Sequence, residues 1–396
     1  MGARPLARAQ RWLARAFRSE RRAVRAGTPI ALLASFAPLA VAPAWGQQPW
    51  PAETREEAIN LTAIEGPGTN DFFLDLSGAF WNPSTRTLWL ARNGPGATTS
   101  KLWAVVEDGA GSFEVAESGG LRAEWTGFGD LEGVTQAEFE EATVYLIIEG
   151  EERIKEYDVS SFGSAVLNNV WDTSPHLPRS GGLGAEGITF VPDTSLSSAG
   201  FVDRFGSPYT SLHGMGGLML VGHQNGGSIF VFDLDRTTGS FAYVGEYLTP
   251  RNEVAGLEFD RSTGLLYAWH DSSHDILSVL DLASEPVVAG VRRRFVELAS
   301  FEGPNHANNE GIALAPIGDC VGGVRDFFMT TDDGAADSLR WYRQFSHGCP
   351  LPSIPALGAL ERAIALVLLF ALGARLLRRR PLSPGGPSCR RSSRIS

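Results

Sequence analysis

The chain has 396 residues, with 34 basic and 45 acidic side chains and a formal net charge of −11. The charge is unevenly spread, because residues 1–46 and residues 351–396 each hold eight arginines and one glutamate. The 304 residues between them keep 18 basic against 43 acidic side chains, a net charge of −25. Such a segment lacks the basic surface that nucleic acids and anionic lipids require, so we expect no nucleic-acid partner. It is compatible with cations as ligands.

The N-terminus has the three-part layout of a secretory signal peptide. An arginine-rich head, Arg4 to Arg25, leads into an apolar stretch from Ile30 to Val41, and Ala44-Trp45-Gly46 supplies small residues for cleavage. We expect residues 1–46 to be removed. The alternative is a membrane anchor, which prolines and a length below the ~20 residues of a span disfavour. Arg21-Arg22 leaves both the general secretory and the twin-arginine route open.

One short pattern recurs five times in the middle of the chain: a small or acidic residue, then glycine, then apolar residues. The residues before the glycines are Ser77, Glu132, Glu186, Ala255 and Glu310. The glycines are separated by 55, 54, 69 and 55 residues. Short β-rich runs follow each copy, for example Leu265–Trp269 and Ile276–Asp281, with polar turns between them. This rhythm is typical of antiparallel meanders and predicts an all-β fold.

Units of this length with three or four antiparallel strands are typical of propeller blades, whose ring closure removes exposed sheet edges. We therefore predict a β-propeller over residues 47–349. Five blades fit the five motifs, and six remain the alternative if the longest interval hides a further blade. The strand around Ile59–Thr62 should join the last blade and close the ring.

The glutamate–glycine–aliphatic motif resembles the SdiA-regulated propeller family over most of residues 70–345. The motif is also similar to that of the calcium-activated nucleotidases, five-bladed propellers whose blades point Ser, Glu, Glu, Ser and Glu into the central tunnel to hold Ca²⁺. Four of the five positions agree in type here, and Ala255 departs from the pattern. The resemblance implies a Ca²⁺ site formed by the residues before the five glycines.

The residue types themselves also favour a cation. If each motif begins an innermost strand, Glu132, Glu186 and Glu310 converge on one axis, and such carboxylates repel one another unless protonated or bound to a cation. Oxygen ligands select Ca²⁺ or Mg²⁺, and Ca²⁺ accepts 6–8 of them. Ala255 would contribute a backbone carbonyl or leave room for water. The alternative is that the glutamates accept hydrogen bonds from backbone N–H groups of a neighbouring blade.

Polar residues follow the second strand of each predicted unit, and we expect them to form a rim at one mouth of the ring. They are Arg92, Glu149, Glu151, His223, Asn225, His270, Asp271, Asp332 and Asp333. Zinc binding by His270 and His274 is disfavoured because they lie in a turn and share no helix face. No Gly-x-Ser-x-Gly segment supports a serine hydrolase.

Two functions follow from these sites. The first is a binding or surface protein of unassigned ligand with an axial Ca²⁺. The second is a Ca²⁺-dependent phosphohydrolase, a nucleotidase or esterase-like phytase acting at the tunnel mouth, for which Arg92 is a candidate phosphate ligand. We expect a monomer in either case.

The C-terminal segment, residues 350–396, has the order of a membrane-sorting signal. Ile354-Pro355-Ala356-Leu357 and Glu361 precede an apolar run from Ala363 to Leu377, and arginines follow it. Basic residues after the run keep that end in the cytoplasm and the bulk of the protein outside the inner membrane.

This order resembles the IPTL-CTERM class of bacterial sorting signals, although Ala356 stands where threonine is usual and Pro381–Ser396 extend beyond the arginines. The resemblance implies a membrane-bound precursor, a sorting protease, and a periplasmic, surface or secreted product. A plain, unprocessed anchor is the alternative. In the exported region, Cys320 and Cys349 are candidates for a disulfide.

Overall fold

The structure is a computed structural model that describes residues 47–350, except 66–70, 74, 94–98, 179–181, 272–274, 289–291, 305–307 and 333–335. The predicted signal peptide and sorting segment lie outside the described residues. The described chain is mostly β, as the sequence predicts. Within it, no helix is long and apolar enough to cross a membrane.

The strands form antiparallel meanders that follow one another along the chain. After the short strands β1 (Gln48–Pro49) and β2 (Ile59–Asn60), the first meander comprises β3 (Leu76–Asn82), β4 (Thr87–Arg92), β5 (Thr99–Glu107), β6 (Phe113–Val115) and β7 (Leu121–Thr126). Both β6 and β7 pair with β5. The second meander comprises β8 (Asp130–Thr135), β9 (Thr143–Glu149), β10 (Arg153–Ser161) and β11 (Ser164–Asp172).

The remaining strands repeat this order. The third meander comprises β12 (Ala185–Pro192), helix α1 (Asp193–Ala199), β13 (Gly217–His223), β14 (Ser228–Leu234) and β15 (Phe241–Leu248). The fourth comprises β16 (Gly256–Asp260), β17 (Leu265–His270), β18 (Ile276–Val288) and β19 (Arg292–Glu302), and the last comprises β20 (Asn309–Leu314), β21 (Arg325–Thr331) and β22 (Leu339–Phe345). Strands β15 and β19 pair in parallel, so the third and fourth meanders share one sheet.

The start of the described chain completes the last two meanders. Strand β2 pairs with β22, as the sequence predicts, and thereby gives the last meander its fourth strand. Strand β1 pairs in parallel with β19. The Trp50 ring packs edge-on against Phe327 at 5.5 Å and Tyr342 at 5.6 Å between ring centroids. Four-stranded meanders in sequence, closed by an N-terminal strand, define a β-propeller-like fold.

Apolar side chains fill the spaces between neighbouring meanders. Between the first and second, Leu131 and Val134 pack with Trp89 and Leu146. Ile188 packs in the same way between the second and third meanders. Full burial of each large apolar side chain stabilises the fold by about 1.5–3 kcal/mol. The core is therefore distributed between the sheets.

The glycine of each repeated motif lies where an inner strand touches the next one. A Cβ atom on Gly78 would stand 2.6 Å from the Glu132 carbonyl oxygen, and one on Gly133 would stand 2.7 Å from that of Glu186. Corresponding atoms on Gly187, Gly256 and Gly311 would meet the backbones of β16, β20 and β3. The contacts thus run from each inner strand to the next and return to the first. The repeated glycine is explained by this close approach, which no side chain permits.

The end of the described chain is held by a buried ion pair and a disulfide. Arg325 Nη1 lies 2.6 Å from Asp260 Oδ2 with both side chains buried, and Nη2 donates to the His347 carbonyl oxygen at 3.0 Å. Cys320 and Cys349 are joined by a disulfide with Cα atoms 5.8 Å apart. Burial lowers the pKa of His347 to about 4, so its imidazole is neutral at pH 7.

We predict that Gly133→Ala destabilises the protein by roughly 1–3 kcal/mol, the usual cost of overpacking. The new methyl group would stand 2.7 Å from the Glu186 carbonyl oxygen and 2.9 Å from methyl groups of Ile147 and Ile188. Gly318→Ala is the matched control, because a Cβ there meets nothing within 4 Å. Urea unfolding of residues 47–350 measures both, and equal stabilities for the two variants would contradict the close-packed axis.

Candidate metal centre

The residue before each motif glycine is aimed by a β-bulge in four of the five inner strands. The pairing of β3 with β4 shifts by one residue between Leu76 and Gly78, and that of β8 with β9 shifts between Leu131 and Gly133. Strands β12 and β20 carry corresponding shifts. An extra residue re-aims its side chain out of the regular alternation. The bulges therefore coincide with Ser77, Glu132, Glu186 and Glu310.

The fifth inner strand differs in both sequence and geometry. Gly256 pairs with Trp269 in a regular ladder, and the Ala255 N–H group donates to the Trp269 carbonyl oxygen at 2.9 Å. No register shift occurs between β16 and β17. Ala255, the one motif position without a polar side chain, thus lies before the start of its ladder, whereas the other four positions lie at a register shift.

The three glutamates of the motif come together. One carboxylate oxygen from each of Glu132, Glu186 and Glu310 lies within 4.8 Å of the others. Glu132 and Glu186 are buried, and Glu310 is partly exposed. The Ser77 hydroxyl, on a residue only 2% exposed, makes no hydrogen bond of normal geometry, although it lies close enough to Glu132 to lower that pKa. We call these four residues the axial cluster.

The electrostatics of the axial cluster favour protons or a cation. Burial raises the pKa of Glu132, Glu186 and Glu310 well above the ordinary value, and neighbouring carboxylates raise each further. Between described residues, no backbone N–H group donates to these three carboxylates, whereas the Asn93 side chain donates to Glu132 at 3.2 Å. Strand capping by these glutamates, the alternative raised from the sequence, is therefore not what the described contacts show.

A cavity of about 260 Å³ adjoins the axial cluster. Its described lining residues carry seven carboxylates and no basic side chain: Asn93, Asp130, Glu132, Glu149, Gly182, Glu186, Gln224, Ala255, Asp271, Asn308, Glu310 and Asp332. Asp130, Glu132 and Glu149 form a second group whose carboxylate oxygens lie within 4.8 Å of one another. Glu132 therefore belongs to two adjoining groups of oxygen donors.

The rim residues expected from the sequence divide into two sets. Glu149, Asp271 and Asp332 line the cavity with the axial cluster. The two histidines do not belong to an open rim, which corrects that expectation. His223 is fully buried with Nε2 2.8 Å from the Pro178 carbonyl oxygen, and His270 is fully buried against the Glu253 carbonyl oxygen and the Ser278 hydroxyl.

Arg92 and the other flanking residues also lie away from the cavity lining. Arg92 is buried, and its charge lowers the pKa of Asp75, which burial and then Asp332 raise. Glu151 pairs instead with Lys155 at 3.0 Å. Asp333 and His274 lie outside the described residues.

Sequence reasoning missed Asp130, although a signal for it exists. Asp130 is the direct cross-strand partner of Glu149 at the end of the β8–β9 ladder. Like charges directly opposite destabilise a sheet, so an acidic pair at the open end of a predicted hairpin indicates a ligand or shared protons. The amide side chains Asn93, Gln224 and Asn308 carry no comparable sequence pattern.

No protein-family model matches the sequence, and no curated protein matches it. The glutaminyl cyclase of Myxococcus xanthus is 12% identical over 75% of this chain and 97% of that chain, with a TM-score of 0.39. A protein from Lactobacillus plantarum is 11% identical over 64% of this chain and 63% of that chain, with a TM-score of 0.35.

Raptor of Chaetomium thermophilum is 12% identical over 72% of this chain, with a TM-score of 0.35, and the match spans only 20% of Raptor. Because each TM-score is below 0.5, the propeller-like assignment rests on the strand connectivity described above.

We predict that the cation-free protein loses stability as the pH rises from 5 to 8. Burial raises the pKa of Glu149 and of Asp271 to about 7, so the folded state binds more protons than the unfolded state between their ordinary values and pH 7. These extra protons stabilise the folded state at low pH. The stabilisation, on the order of a few kcal/mol, is lost as the pH rises through the raised pKa values.

Thermal melts of residues 47–350 in chelator measure this dependence. The double substitution Glu149→Gln, Asp271→Asn should flatten the curve, whereas Glu140→Gln, an exposed site, should not. A melting temperature that rises between pH 5 and pH 7 would show that the pKa values of these carboxyl groups are not raised.

Proposed function

We propose that this chain is an exported β-propeller of five blades that binds one Ca²⁺ ion on its axis and acts as a binding or surface protein of the bacterial envelope. The observation that carries the cation is the convergence of Glu132, Glu186 and Glu310 within 4.8 Å, beside the buried Ser77 hydroxyl. Carboxylate and hydroxyl oxygens are hard ligands, and Ca²⁺ tolerates the irregular geometry that four bulges and one regular strand would provide.

The count of five blades is supported by the glycine contacts. Each motif glycine touches the next inner strand, and the contact of Gly311 returns to β3. The longest interval between motifs contains helix α1 and the segment up to β13, which add residues without adding a meander. Five blades therefore account for the described strands.

Export is supported by the signal-like layout of residues 1–46 in the sequence and by the disulfide. The Cys320–Cys349 disulfide suits an oxidising compartment such as the periplasm. The C-terminal segment would hold the precursor at the membrane until a sorting protease acts, and the product would remain in the envelope or be secreted.

We predict that Ca²⁺ stabilises residues 47–350 and that Glu132→Gln abolishes the effect. At a hundredfold excess over Kd, one ion contributes about 2.7 kcal/mol, which raises the melting temperature by roughly 5 °C. Without cation the same substitution should stabilise the protein, because it removes one of the repelling carboxylates. Metal analysis should find about one tightly held Ca²⁺ per chain.

Glu140→Gln is the control and should behave as the unsubstituted protein in both conditions. No bound metal and no shift with Ca²⁺ would eliminate the proposed site. A Glu132→Gln variant that is destabilised equally with and without Ca²⁺ would indicate a purely structural glutamate.

The second candidate is a Ca²⁺-dependent phosphohydrolase, favoured by the cavity that adjoins the axial cluster. Because its described lining residues include no basic side chain, a phosphate group would have to be held by the cation. We predict Ca²⁺-dependent turnover of nucleotides, phytate or a simple phosphoester if this function is correct, with Glu132→Gln inactive and Glu140→Gln active. If none of these substrates is turned over, the phosphohydrolase function is eliminated and the binding function remains.

A further inference from the structure

A second, larger cleft lies on the outer side of the first and last meanders, away from the axis. Its volume is about 760 Å³. The β5–β6 turn, strand β22 and the loop between β20 and β21 contribute to its lining. The apolar side chains among the lining residues are Ile59, Phe113, Val321, Val324 and Trp341. We call this space the tail cleft.

The tail cleft contains one large apolar side chain that the described residues leave uncovered. Val321 is 78% exposed, the most exposed of the large hydrophobic residues in the described chain. Cys320 precedes it and is bonded to Cys349, one residue before the end of the described chain. The chain therefore leaves the propeller beside the tail cleft, at a point fixed by the disulfide.

The residues that follow are within reach of the cleft. An extended chain advances about 3.3–3.6 Å per residue. The segment from Pro350 to Leu357 can thus cover roughly 25 Å from its anchor, whereas the Cα atoms of Cys349 and Cys320 are only 5.8 Å apart. The segment is therefore long enough to reach the cleft from its anchor at Cys349.

The composition of that segment suits a cleft that leaves an apolar side chain exposed. Pro350, Pro352 and Pro355 favour an extended polyproline conformation, and the residue before each proline is also restricted to extended backbone. Such segments dock at a low cost in conformational entropy, because their extended backbone is already restricted. Residues 351–360 carry no charge, so the acidic residues that line the cleft, such as Glu107 and Asp319, neither attract nor repel them.

We propose that the tail cleft is the docking site for residues 350–357 of the same chain, with Leu351, Ile354 and Leu357 covering Val321 and its apolar neighbours. Docking places Ile354-Pro355-Ala356-Leu357, the motif of the predicted sorting signal, against the propeller. The docking does not depend on the axial cation, and it is tested separately.

The test is hydrogen–deuterium exchange of the full chain in detergent micelles, followed by mass spectrometry. Backbone amides of residues 109–113 and 320–324 should exchange about fivefold more slowly in the unsubstituted chain than in the double variant Ile354→Asp, Leu357→Asp. Leu212→Asp, at a 76% exposed site in the third meander, is the matched control and should leave this protection unchanged. Equal exchange in the unsubstituted chain and the double variant would overturn the proposal.

A reciprocal variant keeps the proposal testable if the tail substitutions disturb membrane insertion. Val321→Asp changes an exposed side chain and should speed cleavage of residues 351–360 by an added broad-specificity protease severalfold. Unchanged cleavage would count against docking. Protection that falls on dilution would assign the cleft to the tail of a second copy and would also overturn the intramolecular contact.

Discussion

The close approach of the five inner strands around one axis is the constraint on which the rest of the structure depends. Glycine is required where each strand touches the next, because a Cβ on Gly78 or Gly133 would meet backbone at 2.6–2.7 Å. The residue before the glycine is then forced toward the axis, and in four strands a bulge completes that turn. Packing therefore decides where the carboxylates stand, and the charge that accumulates there is a consequence of how the ring closes.

The negative charge that accumulates at the axis destabilises the folded state unless protons or a cation neutralise it. Carboxylates removed from water and set beside one another raise each other's pKa, as burial and neighbouring acids do for Glu132 and Glu186. A proton and a divalent cation are the two available solutions, and they compete for the same oxygens. Because a cation must displace protons to bind, affinity should rise with pH over the range in which cation-free stability falls. The central region as a whole has a net charge of −25, which attracts cations and does not select among them.

The sequence was sufficient to predict the meanders, the closing strand near Ile59 and the convergence of the motif residues, since all three follow from a repeat read in phase. Register was harder to predict. The bulges at Glu132 and Glu310 depend on which residues of the partner strand lie opposite, and no local signal encodes that choice. Sequence reasoning missed Asp130, although its acidic pairing with Glu149 at the open end of the predicted hairpin could have indicated it. It places His270 at the rim because the sequence does not distinguish the last, fully buried residue of a strand from the partly buried Asp271 that follows it.

Both ends of the described chain are anchored in the last meanders, away from the axial cluster. At one end, Glu53 accepts the N–H groups of Arg343 and Gln344 at 2.6 and 2.8 Å, and at the other the disulfide fixes Cys349 beside the tail cleft. The buried Arg325–Asp260 pair ties this last meander to the fourth, and breaking such a pair costs about 3–5 kcal/mol. A force applied through the C-terminal segment would therefore load the disulfide first and then reach the inner strand β16 through the Arg325–Asp260 pair.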